Sequence, residues 1–301
     1  MKTTIKNFLM LFALVILASC SSDDDQIIDP VDDDVAQEEE VAIPDPLLSA
    51  AIKSELGLDE NDDINAEDML DLKELDVSGL AFAELSDLTG LEYAINLTYL
   101  RFGETAVTDL DPISDLENIE YLRFNNTAIT DVSALSNYTS LTYFNANTVT
   151  GLTDISPLAG ITGLQEIILR EVPFGNEGME TIRNFTSLYR INMRDTGVTD
   201  LSVLGELMAE GALLDSTPGA ADAGGADLDL RGLSIANYTP VIPYLDNITT
   251  IDGLPENEAV AVPDERLASQ IRITLGVDQD IELTTLYMLS LSELNLDGGD
   301  D

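Results

Sequence analysis

The chain has 301 residues, with 57 acids, 13 bases, one cysteine, and no histidine or tryptophan. The absence of histidine removes a Ser-His-Asp triad, a Cys-His pair and a histidine-ligated zinc or haem. A single cysteine excludes an internal disulfide framework, a cysteine-built zinc site and an iron–sulfur cluster. The formal net charge of −44 argues against nucleic acid, whose affinity comes largely from Lys and Arg neutralising phosphates. Composition therefore points away from most enzymes, and no cofactor is expected. The hydrophobic fraction of 45% is ample for a packed core.

Lys2 and Lys6 precede the uncharged apolar run Phe8 to Ala18. That run is too short to span a bilayer, which takes about 20 residues, and it fits the h-region of a signal peptide. Leu17-Ala18-Ser19-Cys20 follows and resembles a bacterial lipobox. The resemblance implies cleavage before Cys20 and acylation of that residue, the only cysteine of the chain. Buried acyl CH₂ groups would then anchor the chain at about 0.8 kcal/mol each.

Residues 21–42 hold ten Asp/Glu and no base. Like charges repel and few apolar groups are present, so this stretch reads as a solvated, disordered tether. An acidic run directly after the lipid-bearing cysteine resembles the surface-export signal of some Gram-negative lipoproteins. That implies an outer-membrane anchor with display at the cell surface, the alternative being a periplasmic spacer. Loss of Lys2 and Lys6 on cleavage leaves 57 acids against 11 bases.

Residues 43–71 read as a helical cap. Asp45-Pro46 suits an N-cap and first helical position. Leu48, Ile52 and Leu56 recur at helical spacing, and Gly57 supplies the stop. Asn65, Glu67 and Asp68 start a second short helix. Between the helices, Asp59-Glu60-Asn61-Asp62-Asp63-Ile64 begins like an EF-hand loop. Ile64 stands where that loop needs Gly, and Leu70 where it needs a bidentate Glu, so a solvated acidic turn is the better reading.

A repeat occupies residues 72–255. Leu97-Thr98-Tyr99-Leu100-Arg101-Phe102 is matched by segments starting at Ile119, Leu141, Leu164 and Leu188, whose starts lie 22, 22, 23 and 24 residues apart. An earlier copy starts at Leu72, and a degenerate one contains Leu228-Asp229-Leu230. Asp109, Asp131, Asp154 and Asp200 recur in one phase. A fixed place in each unit marks them as turn-formers bonding local N–H groups rather than as catalytic carboxylates.

This pattern resembles the leucine-rich-repeat family, most of all its bacterial internalin-type variety, over roughly residues 43–255. The resemblance implies an α/β fold, a leucine-rich-repeat solenoid with a parallel concave β-sheet and a helical N-terminal cap. Stacked units bury a continuous core that no single unit could bury alone. The family's turn asparagine is missing here, its place taken by Thr105, Thr127, Val149, Val172 and Thr196. The turns are therefore expected to be looser or supported by threonine hydroxyls.

Residues 205–227 interrupt the period with a Gly- and Ala-rich stretch, read as a short helix and a mobile loop inserted on the convex side. Residues 256–301 then repeat the cap. A shift of 219 residues superposes Asp45 on Asp264, Leu48 on Leu267, Ile52 on Ile271, Gly57 on Gly276, Met69 on Met288 and Leu72 on Leu291. This second cap-like unit is expected to carry one strand. It reads either as the start of a shortened second array or as a unit packed on the end of the first.

The residues flanking the buried leucines point to the concave face. One column reads Glu74, Tyr99, Tyr121, Tyr143, Glu166 and Arg190; the next reads Asp76, Arg101, Arg123, Asn145, Ile168 and Asn192. A third holds Arg170 and Arg194 beside Asn125 and Asn147. With strands about 4.8 Å apart, the three tyrosines should stack into a ladder. With Arg231, six of the 11 bases left after cleavage fall on one face of a very acidic chain. Tyr99, Arg101, Tyr121, Arg123, Tyr143, Asn145, Arg170, Arg190 and Arg194 are therefore the candidate binding residues for a protein or glycan partner. Two competing readings are that the tyrosines only stabilise the sheet and that the arginines only offset nearby acids. A structural envelope role without a discrete ligand would follow from them.

Overall fold

The computed structural model describes residues 40–295. The expected signal peptide, the acylated Cys20 and most of the tether lie outside that range, as do residues 296–301.

The first cap forms as its sequence dictates. Helix α1 (Pro46–Leu56) is capped by Asp45, which accepts the Leu47 and Leu48 N–H groups, and it ends at Gly57 with φ 71°. Helix α2 (Ala66–Asp71) opens on a reciprocal capping box between Asn65 and Asp68. The cap starts earlier than composition suggests. Glu40 bridges Asn65 antiparallel, and Val41 is buried with its N–H on the Ile64 carbonyl. An apolar side chain with a core to enter ends the tether before residue 42.

Eight three-residue strands follow: β1 (Glu74–Asp76), β2 (Tyr99–Arg101), β3 (Tyr121–Arg123), β4 (Tyr143–Asn145), β5 (Glu166–Ile168), β6 (Arg190–Asn192), β7 (Asp227–Asp229) and β8 (Thr250–Asp252). They form one parallel sheet in sequence order. Leu75, Leu100, Leu122, Phe144, Ile167, Ile191, Leu228 and Ile251 pair across it in continuous register. The first seven are buried within a single core. Phe102 and Phe124 stack inside at 5.6 Å, and Phe124 meets Phe144 edge-on at 5.4 Å. The convex side carries 3₁₀ turns in most units, but helices α3 (Gly175–Ile182) and α4 (Ser202–Ala209) replace them in two.

Each of Asp109, Asp131, Asp154 and Asp200 accepts the backbone N–H two residues on, at 2.8–2.9 Å. The Ser156 N–H holds the Asp154 carboxyl below the usual range, and the Ser202 hydroxyl first and then its N–H do the same for Asp200. The missing turn asparagine is replaced by hydroxyls where threonine stands. Thr105, Thr127 and Thr196 each donate to the carbonyl three residues upstream at 2.7–2.9 Å. Val149 and Val172 donate only their backbone N–H to that carbonyl. In these five units the preceding residue is left-handed: Glu104, Asn126, Thr148, Glu171 and Asp195 have φ of 56–63°.

The segment after α4 packs at the edge of the sheet rather than on the convex side. Leu213 is buried with its N–H on the Leu188 carbonyl, and Asp215 accepts the N–H groups of Ala226 and Thr249. Gly219 lies against the Tyr189 ring, where a Cβ would come within 3.0 Å. The insertion therefore covers the edge at which β5 and β6 begin. Gly219 and Gly225 stand where neighbours come close, whereas Gly211 and Gly224 have open space around the missing Cβ.

The second cap repeats the first in backbone detail. Helix α5 (Glu265–Leu275) is capped by Asp264 and ends at Gly276 with φ 70°. Ala259 bridges Thr284, and the Val260 N–H reaches the Leu283 carbonyl, each 219 residues beyond its counterpart. Helix α6 (Thr285–Leu289) follows. The strand expected next is not formed by residues 291–295. The unit is tied to the array: the Tyr238 N–H donates to Ser290 Oγ at 2.7 Å, and Ile242 packs against its small core.

Candidate binding surface on the concave sheet

Strand register builds the expected columns. Glu74, Tyr99, Tyr121, Tyr143, Glu166 and Arg190 are successive cross-strand partners, as are Asp76, Arg101, Arg123, Asn145, Ile168 and Asn192. Asp227 and Thr250 extend the first column, and Asp229 and Asp252 the second. Strand β8, with which the columns end, is not apparent in the repeat pattern because its unit lacks the full leucine spacing. The third column continues the ladder: the carbonyls of Asn125, Asn147, Arg170, Arg194 and Arg231 each accept the N–H of the left-handed residue one unit earlier.

The tyrosines stack. Tyr99 and Tyr121 lie 4.4 Å apart between ring centroids at 18°, and Tyr121 and Tyr143 lie 4.1 Å apart at 4°. Burial first, and then neighbouring Tyr143, push the Tyr121 hydroxyl well above the ordinary phenol range. Asn145 is itself buried. Its Nδ2 donates to the Tyr143 hydroxyl at 3.0 Å and its Oδ1 accepts the Asn147 N–H, so it positions Tyr143.

The arginines divide. Arg101 pairs with Asp76 across the strands at 2.8 Å, while its Nε is buried without a partner. Arg170 and Arg194 fold onto Glu171 and Asp195, their neighbours in sequence. Arg190 sits between Glu166 at 2.6 Å and Asp227 at 3.2 Å. Arg231 grips Asp229 through two bonds of 2.6 and 2.8 Å. Arg123 differs. Its Nε donates to Asn125 Oδ1 at 2.6 Å, and among the described residues it forms no ion pair.

The sheet face therefore has two halves. From β2 to β4 it presents stacked tyrosines with Arg101 and Arg123. From β5 to β8 it is a closed ion-pair network around a cleft of about 140 Å³. There, burial raises the Asp227 carboxyl against the pull of Arg190. Burial also works against the Asp229 carboxylate, but bonds from Arg231 hold that group below its usual range. Tyr189 donates to Glu166 at 2.8 Å, and burial together with that bond pushes its hydroxyl up to about 12. Sequence reasoning missed Tyr189, Asp227 and Asp252 as members of this face. Tyr189 is a neighbour of the strand rather than a member, and the other two strands fall where the period fades.

The leucine-rich-repeat family model, describing two copies of the repeat, matches residues 95–137. The crystal structure of internalin C2 from Listeria monocytogenes is 25% identical over 66% of this chain and 79% of that one, with a TM-score of 0.55. The internalin InlF from the same organism is 24% identical over 77% and 74%, with a TM-score of 0.52. No curated protein matches the chain. The fold is that of an internalin-type leucine-rich-repeat solenoid.

Proposed function

We propose that this is a binding protein, exported, acylated at Cys20 and held on the outer membrane with its solenoid facing outward, which recognises a protein partner through the β2–β4 half of its concave sheet. The observation that carries the reading is the stacked Tyr99–Tyr121–Tyr143 row beside Arg123, which is not neutralised by a neighbouring acid. Tyrosine and arginine are the side chains enriched where binding energy concentrates. The likeness to internalin C2 supports the solenoid as a scaffold for such a surface, and no enzymatic role is assigned to it. A structural envelope role draws its support from the β5–β8 half, where every arginine is already paired with an acid of the same chain.

The test is capture of partners from the cell's surroundings by the wild-type protein and by the Tyr121→Ala/Arg123→Ala double variant. Loss of a discrete partner in the double variant, with unchanged far-UV circular dichroism, supports the reading. Equal capture of a partner by both overturns the β2–β4 face as the site, and capture of no discrete partner by either overturns the reading in favour of the structural role. Protease treatment of intact cells tests display, since a protected solenoid would be periplasmic. Metabolic labelling with palmitate should disappear in Cys20→Ala.

A further inference from the structure

The two residue types of the β2–β4 face offer different chemistry, and their geometry decides which they can use. A sugar ring binds an aromatic residue face to face. Here the faces of Tyr121 are closed on both sides by its neighbours, at 4.4 and 4.1 Å. One face each of Tyr99 and Tyr143 is closed as well. The row can thus meet a ligand through ring edges and hydroxyls. Tyr143 already accepts a bond from Asn145, which leaves its own proton to donate.

Arg123 stands in this row with its fork uncommitted. The five other arginines of the face are bound to carboxylates of the chain: Arg101 to Asp76, Arg170 to Glu171, Arg190 to Glu166, Arg194 to Asp195 and Arg231 to Asp229. In Arg123 only Nε is taken, by the neutral Asn125 Oδ1, which fixes the plane of the guanidinium without cancelling its charge. Asn125 is buried and cannot swing away. Gly103, the preceding member of that column, keeps the space open: a Cβ there would meet Asn125 Oδ1 at 2.3 Å. The result is a cation oriented by a fixed neighbour, flanked by hydroxyl donors, on a surface whose other cations are spent. Such an arrangement matches a carboxylate, which takes two parallel bonds from a guanidinium.

Resting on the concave-face reading above, we infer that Arg123 is a carboxylate receptor and that the partner is a protein segment presenting an Asp, a Glu or a C-terminus to it, with the tyrosine edges lying alongside. The surrounding charge makes a second signature. A body of −44 repels an acidic peptide at long range, and that repulsion is screened as salt rises. The contact pair at Arg123 is screened much less. Binding should hold or strengthen between low and physiological salt, the reverse of ordinary charge attraction.

The experiment is panning of a random displayed 12-residue peptide library on the full-length wild-type protein, on Arg123→Ala, on Arg123→Lys and on Tyr121→Ala, with a parallel array of neutral and uronate oligosaccharides. Arg183→Ala at the C-terminal end of α3, paired with Glu180 and Glu206 away from the sheet face, serves as the unaffected control. The expected result is Asp/Glu enrichment at one position on wild type and Arg183→Ala. Synthetic versions of these peptides should bind at least tenfold more weakly when Gln replaces the acid or when Arg123 is Ala or Lys. Acid-free binders that ignore Arg123 but are lost in Tyr121→Ala overturn the carboxylate assignment and leave the concave face standing. Binders indifferent to both variants overturn both. Binding of uronate sugars without acidic peptides overturns the choice of a protein segment.

Discussion

In the first cap, Leu48, Met69, Leu72 and Leu75 lie under the array and are at most 2% exposed. In the second, Leu267, Met288, Leu291 and Leu294 occupy the same places 219 residues on and are only half-buried. The helices, their caps and the antiparallel bridges are otherwise alike. Helix starts and stops are thus written into the cap itself, in Asp45 and Asp264, Gly57 and Gly276. Burial of the leucine face is supplied by the repeats stacked upon it. The second cap has changed in another place. Glu67 and Asp68 become Leu286 and Tyr287, which are buried. Tyr287 joins a small core that Ile242 of the array also touches. That exchange costs the capping box, since the carboxylate that accepts the N-cap N–H is gone and α6 has no side-chain cap bond, and among the described residues the Thr284 hydroxyl is buried without a partner.

The comparison predicts unequal effects at equal positions. Leu72→Ala should destabilise the chain by about 2–5 kcal/mol, the usual cost of a cavity at a fully buried leucine. Leu291→Ala should cost about 1 kcal/mol or less, because little of its surroundings closes around it. Urea unfolding followed by far-UV circular dichroism reads both. Equal losses would mean that the second cap is as well covered as the first.

How much of this was legible from sequence follows from the same division. Apolar residues at a fixed period defined the strands from Leu75 to Ile191 and the tyrosine row, because in a solenoid one unit's place dictates the next. Ion pairing was not legible. Whether Arg170 turns to Glu171 or Arg123 to Asn125 is decided by a rotamer and the space left by Gly103, neither of which has a period. The insertion was misplaced for a related reason: Gly219 is small because Tyr189 lies against it, and composition alone does not separate close packing from mobility. Helix α3 escaped notice because its turn differs from the others in length, not in pattern.

A second pair of substitutions sharpens the contrast at the N-caps. Asn65→Ala removes the side-chain arm of a capping box, the Oδ1 that accepts the Glu67 and Asp68 N–H groups, and should cost about 1–2 kcal/mol. Thr284→Val keeps the shape and deletes a buried hydroxyl that bonds nothing, so it should be neutral or stabilise by up to about 1 kcal/mol. Thermal melts of the two variants beside wild type give the sign directly. A loss at Thr284 would mean that its hydroxyl has a partner after all. Gly57→Ala and Gly276→Ala form the matched control. Both glycines are left-handed, with open space around the missing Cβ. Strain alone then sets a cost of about 1 kcal/mol at each.

The smallest expected effect separates the caps by pH. Burial raises the Tyr287 hydroxyl above its ordinary value, and its counterpart in the first cap, Asp68, is no phenol. A raised folded pKa means that the neutral form is favoured in the folded state. The stability it contributes is full below the unfolded value of about 10 and is lost as pH rises through the higher folded value. Above about pH 10 the second cap should therefore loosen before the first. Limited digestion with an alkaline-active protease should then cut within residues 256–290 earlier than within 43–71. Tyr287→Phe keeps the ring and removes the titration, so it should abolish the difference between pH 9 and pH 11. Persistence of that difference in the Phe variant would place the alkaline weakness in another group. The chain has nine tyrosines and no tryptophan, so the difference in tyrosinate absorbance near 295 nm between wild type and Tyr287→Phe reads the ionisation of Tyr287.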